Sequence, residues 1–235
     1  MIQRTLEPAA ENAAAEAEAY LAMDHREVNE AFVADLFASS KMVGPRVLDL
    51  GCGPGLIAIE ICNQDEAIEV MGMDLCQEML SLARFELEVA GMTDRIQLVQ
   101  DDACDCDSVQ SDIVHTVVSN TVLHHLSKPI GMLRTAVKAC QPGGQIFLRD
   151  LCRPDSVDEV EFLVDQYAGG ADSSGLDGDG RDAPASPRQL LRQSLHAALT
   201  LEEARTLVAG LGIDSDCVQM TSDRHWTLAV TQPSS

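Results

Sequence analysis

The stretch Val47 to Gly55, VLDLGCGPG, decides the fold. Four residues, apolar but for Asp49, run into three alternate glycines, and the following helical segment begins at once. Such a transition suits a buried strand feeding a helix through a turn that needs left-handed backbone. Glycine there also lets a ligand approach bare peptide groups, while the helix start aims free N–H groups at it. Standing alone, a glycine-rich turn is equally an ordinary strand-to-helix connection.

Working outward, Arg46 to Leu50, Ile68 to Asp74, Ile96 to Gln100, Ile113 to Val118 and Gln145 to Arg149 read as strands too evenly apolar to have a wet face. Helices are expected between them over Leu56 to Cys62, Gln77 to Ala90 and Pro129 to Cys140, the last two ended by Gly91 and by Pro142-Gly143-Gly144. Further helices are expected over Asp155 to Tyr167, Arg188 to Ala198 and Leu201 to Leu211, and short strands over Asp216 to Met220 and Trp226 to Val230. The alternation predicts an α/β fold: a doubly wound, seven-stranded, mostly parallel sheet in a three-layer α/β/α arrangement with the last strand antiparallel. Ahead of it, Pro8 to Ala19 reads as a frayed Ala/Glu lead-in and Tyr20 to Phe37 as a packed helix. Gly169 to Pro187, rich in Gly, Asp, Ser and Pro, reads as an inserted loop.

At 235 residues one domain is expected. Its parts are a helical lid at 20–43, a ligand-binding core at 46–150, an insertion at 151–198 and a closing helix with strands at 199–235. A net charge of -22 repels phosphate backbones and anionic lipid, so neither nucleic acid nor a membrane is an expected partner. No apolar run or basic leader suggests a span or a secretory signal, and eight cysteines without a C-x-x-C pair suit reduced thiols in the cytoplasm.

No metal ligand set is expected. Cys104 and Cys106 lie among acids but lack a second pair at zinc spacing, and the DGDG run at Asp177 to Gly180 places Arg181 and Arg188 where a calcium loop needs oxygens. A nicotinamide cofactor is disfavoured because position 56, where the dinucleotide fingerprint needs its third glycine, is Leu. Asp74, closing the second strand, suits a vicinal ribose diol, and Asp101-Asp102 after the third suit an exocyclic purine amine.

In these features the chain resembles the class I S-adenosylmethionine-dependent methyltransferases, small-molecule type. The resemblance rests on VLDLGCGPG, Asp74 in VMGMDL, QDDA at Gln100 to Ala103, DIVHTVVSNTVLHHL at Asp112 to Leu126, and QPGG at Gln141 to Gly144. It implies that Asp49, Gly51, Gly53 and Gly55 surround the methionine part of S-adenosylmethionine, Asp74 the ribose, and Asp102 with Ala103 the adenine. Cys52, Leu75, Met79 and Asn120 complete the expected donor set. The implied reaction is methyl transfer to a small-molecule acceptor with release of S-adenosylhomocysteine. A transferase that modifies the sulfonium compound itself, or a noncatalytic binding protein of the same fold, are the alternatives.

On the acceptor side, His124 and His125 follow the fourth strand, where a neutral imidazole can take a proton. Arg149-Asp150 close the fifth strand, and Asp223-Arg224 lie in the turn expected on the same edge. Of these, His124, His125, Arg149 and Asp150 are the catalytic candidates, and Asp223 and Arg224 candidates for acceptor contact. Tyr20 and His25 are candidate lid residues. No N-P-P-aromatic box follows the fourth strand, which disfavours a base amine as acceptor.

Overall fold

The computed structural model describes residues 2–8, 26–40, 42–106, 109–168 and 186–233. Its centre is a seven-stranded sheet: β1 (Arg46–Leu50), β2 (Glu69–Asp74), β3 (Ile96–Gln100), β4 (Val114–Asn120), β5 (Cys140–Leu151), β6 (Val218–Met220) and β7 (His225–Thr231). They lie in the order β3-β2-β1-β4-β5-β7-β6. β1 through β5 pair in parallel, and β7 enters antiparallel to β5 and to β6. β6 therefore runs parallel to β5, and the 221–224 turn lies on the edge where β1 to β5 end. The chain order reverses between β1 and β4, and the carboxyl ends of the strands at such a reversal are where open α/β sheets bind ligands.

Helices α1 (Arg26–Ser39), α2 (Leu56–Gln64) and α3 (Gln77–Ala90) flank the early strands; α4 (Ile130–Ala139) and α7 (Leu201–Ala209) flank the later ones. Two apolar clusters result. One holds Phe32, Val33, Leu36, Ile61 and Leu87 against β1 and β2. The other packs Met132, Ala136, Ala204 and Val208 against β4, β5 and Trp226. Strands buried on both faces need apolar residues at every position, which is why the sequence shows runs and no alternation. Where β4 does carry polar groups they are satisfied: Thr116 Oγ1 donates to the Val43 carbonyl at 2.6 Å and Ser119 Oγ to the Leu50 carbonyl at 2.6 Å.

A third cluster joins α5 (Val157–Ala168) and α6 (Pro187–Ala197) to Leu151 and Ile2. It stands beyond the end of β5 and forms one wall of the carboxyl edge.

Several bounds differ from the sequence reading, each for a physical reason. β5 begins at Cys140, because an irregularity in its register with β4 between Val114 and Thr116 takes up Gln141 to Gly144, with Gly143 at φ 78° and its N–H donating to the Gln232 carbonyl at 3.0 Å, where a break was expected. Ser215–Cys217 forms a turn of 3-10 helix capped by Asp214, which shortens β6 to three residues. The first third of the expected 20–37 helix, residues 20–25, and nearly all of the 169–187 loop lie outside the described residues.

Candidate active site

The glycine turn is built as its sequence demands. Gly51, Gly53 and Gly55 have φ of 73°, 51° and 76°, a region where side chains are strained. A Cβ on Gly51 would also stand 2.5 Å from Val122 Cγ2, whereas one on Gly53 would meet nothing within 4 Å. The turn is thus locked on one side and open on the other.

Asp74 faces that open side. Its Oδ2 accepts from the Gly53 N–H at 2.8 Å and its Oδ1 from the Cys76 N–H at 2.8 Å. Two backbone donors fix the carboxylate plane and leave further acceptor capacity on both oxygens, the arrangement a vicinal diol requires. Asp49 lies behind the turn, 2% exposed, with Oδ2 lacking any partner. Burial, reinforced by the neighbouring charge of Asp74, pushes its pKa up to about 7. A buried, orphaned carboxylate beside an open glycine turn is an unmet demand for a cation or donor. S-adenosylmethionine carries a sulfonium and an ammonium group of that kind, so the residues present fit that ligand.

The remaining donor-side candidates line the same edge. Asp102 Oδ1 accepts from the Cys104 N–H at 2.8 Å, which orients it after β3, with Ala103 beside it. Gln100 Nε2 donates to the Leu75 carbonyl at 3.2 Å, tying the ends of β2 and β3 together. Leu75 is exposed, while Met79, Asn120 and Asp102 are half-buried. Cys52 is buried and its thiol is held protonated by burial and by Asp49 and Asp74, so it contributes packing under the turn.

On the acceptor side the structure joins His124 to Asp150. The His124 ring Nδ1 stands 2.6 Å from Asp150 Oδ1, and Asp150 also accepts from the His124 N–H at 3.1 Å and the Leu151 N–H at 2.6 Å. Both residues are buried. An acceptor-only carboxylate on Nδ1 fixes the proton there and leaves the Nε2 lone pair free to act.

Arg149 is engaged elsewhere. It donates to Thr227 Oγ1 at 3.0 Å and Asp35 Oδ2 at 2.6 Å, against the rings of Phe32 and Phe147. Arg224 stacks on Tyr167 at 3.3 Å from the ring centre, and Asp223 accepts from the Tyr167 hydroxyl at 2.6 Å. Those two form a cluster with α5 in place of a direct approach to His124. Tyr20 and His25 lie outside the described residues.

Sequence reasoning missed the N-terminal segment. Arg4 donates to the Ala197 carbonyl at 2.6 Å and to the carbonyls of His124 and Leu126 at 3.2 and 3.0 Å. Thr5 N–H bonds the His196 carbonyl at 3.0 Å. This strap delivers Glu7 to the histidine pair: its carboxylate bonds His125 Nδ1, accepts from Ser194 Oγ at 2.6 Å, and lies 3.8 Å from His124 Nε2. Burial would raise the Glu7 pKa, but the contacts with His125, His124 and Ser194 prevail and hold it down at about 2. No local pattern could have revealed a partner more than a hundred residues away.

A cavity of about 880 Å³ lies farther along the same edge, lined by Arg4, Cys152, Arg153, Glu203, Leu207 and Met220 among others. It includes no residue of the glycine turn.

Comparison with known proteins agrees with this geometry. Residues 47–144 match the family model described as a methyltransferase domain. The chain is 30% identical over 112 residues to the ubiquinone biosynthesis O-methyltransferase of Aliivibrio fischeri, covering 48% of this chain and 46% of that protein. It is 33% identical over 129 residues to the enzyme of the same name from Xanthomonas euvesicatoria, covering 54% and 52%. The chain thus matches about half the length of these curated relatives. Among solved structures, an S-adenosylmethionine-dependent methyltransferase from Aquifex aeolicus superposes with a TM-score of 0.64 at 14% identity, covering 92% of this chain and 96% of that one. A Haemonchus contortus N-methyltransferase in complex with phosphomonomethylethanolamine and S-adenosylhomocysteine gives 0.57 at 19%, covering 80% and 37%. Residues 47–144 therefore match the methyltransferase domain model, and the chain as a whole has the fold of the class I S-adenosylmethionine-dependent methyltransferases.

Proposed function

We propose that the chain transfers the methyl group of S-adenosylmethionine to a hydroxyl oxygen of a small-molecule acceptor, releasing S-adenosylhomocysteine. The observation that carries the donor is Asp74, oriented by two backbone N–H groups beside an open glycine turn and a buried, orphaned Asp49. Bound S-adenosylmethionine supplies a methyl carbon already activated by its sulfonium. The chain's own residues orient the two reactants, exclude water and move one proton. His124, held by Asp150 with Nε2 unprotonated, takes the hydroxyl proton as the oxygen forms its bond to carbon and the sulfide leaves. The O-methyltransferase names of the relatives and this imidazole–carboxylate pair both support oxygen as the accepting atom.

The same reading treats the chain as one catalytic unit, with 46–150 holding the donor and 151–198 shaping the acceptor side. Among the described residues no helix is long and apolar enough to cross a membrane. The eight free cysteines support a reducing, cytoplasmic setting, and the acidic surface opposes nucleic acid as acceptor.

The test is a homocysteine-release assay over phenols, aliphatic alcohols, carboxylates, thiols and amines. Turnover with a hydroxyl acceptor is expected, with kcat reduced by at least about a hundredfold in His124→Ala. Turnover confined to thiols or amines would overturn the oxygen assignment, and none with any acceptor would overturn the transferase reading.

A further inference from the structure

Two neighbouring histidines after β4 and a glutamate from the distant N-terminal strap bring three potential ligand atoms together. His124 Nε2, His125 Nδ1 and the Glu7 carboxylate all lie within 4.8 Å of one another. Two of the three ligands are braced from behind. His124 is fixed through Nδ1 by Asp150 at 2.6 Å, and Glu7 Oε1 accepts from Ser194 Oγ at 2.6 Å. A carboxylate behind a ligating imidazole is the usual means of fixing its tautomer and raising its basicity.

The spacing fits an ion better than a direct contact at one edge of the triangle. His124 Nε2 and Glu7 Oε1 are 3.8 Å apart, too far for a hydrogen bond. That separation falls within the span of two bonds of about 2.0–2.1 Å meeting at a common centre. The two imidazoles lie with centroids 4.0 Å apart and planes tilted by 40°, so a cation shared between them also removes the need for either to be protonated.

We propose that Glu7, His124 and His125 form a mononuclear site for a divalent ion of the zinc class, with Asp150 and Ser194 as positioning residues. Two neutral imidazoles and one carboxylate suit zinc, cobalt or ferrous iron; magnesium and calcium prefer sets made of oxygen alone. Three protein ligands leave positions open on the solvent side, where His125 is half exposed. An acceptor hydroxyl ligated there would lose its proton to water more readily, so with the ion bound the metal takes over the part of His124 Nε2, whose lone pair it occupies. That last consequence rests on the methyl-transfer reading, whereas the ion site itself does not.

The experiment uses the untagged full chain, stripped with a chelator, kept reduced, and titrated with Co2+ and then with Zn2+ in competition. One equivalent of Co2+ is expected, with ligand-field absorption and no thiolate charge-transfer band. Glu7→Gln and His125→Ala are each expected to weaken binding by at least about tenfold, and Ser194→Ala by about tenfold. His125 is half exposed, so its variant keeps the fold even where a change at the buried His124 does not. Substoichiometric uptake, a thiolate band, or affinity unchanged in both Glu7→Gln and His125→Ala would overturn the site. Binding of S-adenosylmethionine to the metal-stripped chain, measured in parallel, reports separately on the methyl-transfer reading.

Discussion

Asp49, next to last in β1, is a buried carboxylate whose charge the fold leaves unanswered. It would ordinarily titrate near 3.8, and burial together with Asp74 pushes it up to about 7. A carboxyl raised in the folded state favours folding when protonated, so stability falls as pH rises from about 4 to about 7 and the full penalty stands above that. The shift corresponds to a penalty of about 4 kcal/mol. A cation placed against the carboxylate offsets that penalty, and its binding expels the proton. Affinity for S-adenosylmethionine is therefore expected to rise about tenfold per pH unit up to pH 7 and level off above it. Isothermal calorimetry across pH 5 to 8 checks this, and Asp49→Asn abolishes the dependence. Affinity independent of pH would place Asp49 outside the donor contacts. Asp49 and Asp74 were readable in sequence because strand ends flanked by glycines announce themselves locally; the orphaned Oδ2 of Asp49 was not, since it depends on what three neighbouring strands leave unfilled.

At the scale of elements, the helices and strands followed their signals closely where those signals were local. α3 runs from Gln77 to Ala90 as its apolar spacing and Gly91 require, with Gly91 closing it in the left-handed region. α7 is started by a capping box between Thr200 and Glu203, readable as Thr-x-x-Glu. What local signals could not give is the strap at 2–8. Arg4 holds it to the carbonyls ending α6 and to the loop after β4, and so decides where Glu7 stands. Hydrogen bonds from a charged group contribute about 1.5–3 kcal/mol. Arg4→Ala is therefore expected to destabilise the chain by about 2 kcal/mol and release the strap. Acceptor KM should then change by at least about fivefold while donor affinity holds. Thermal melting and hydrogen exchange over residues 2–8 read the first effect, steady-state kinetics the second. Equal loss of donor affinity would mean that Arg4 supports the fold generally and not the acceptor side.

For the whole molecule, the sheet order explains why one edge carries the donor-side candidates and the His124–Asp150 pair. The reversal between β1 and β4 opens a crevice, and β2, β3 and β5 bring Asp74, Asp102 and Asp150 to the same side. The alternation of elements made this sheet legible in sequence, including the antiparallel return at Trp226. The acceptor half was less legible because its shape comes from α5, α6 and the strap meeting across the chain, with no motif to mark them. Arg149 illustrates the limit: expected to close β5, it lies two residues before the strand's end at Leu151, and its guanidinium packs back against Phe32 and Asp35.

Asp74 is the group proposed to grip the donor's sugar. Calorimetric titration of the folded chain with S-adenosylmethionine and S-adenosylhomocysteine, compared with Asp74→Ala, addresses it directly. Both ligands are expected to bind the native chain at one site. The variant is expected to keep its melting profile within a few degrees while losing about a hundredfold in affinity, the equivalent of two charge-assisted hydrogen bonds. Binding of either ligand with unchanged affinity in the variant, or no binding by the native chain, would contradict it.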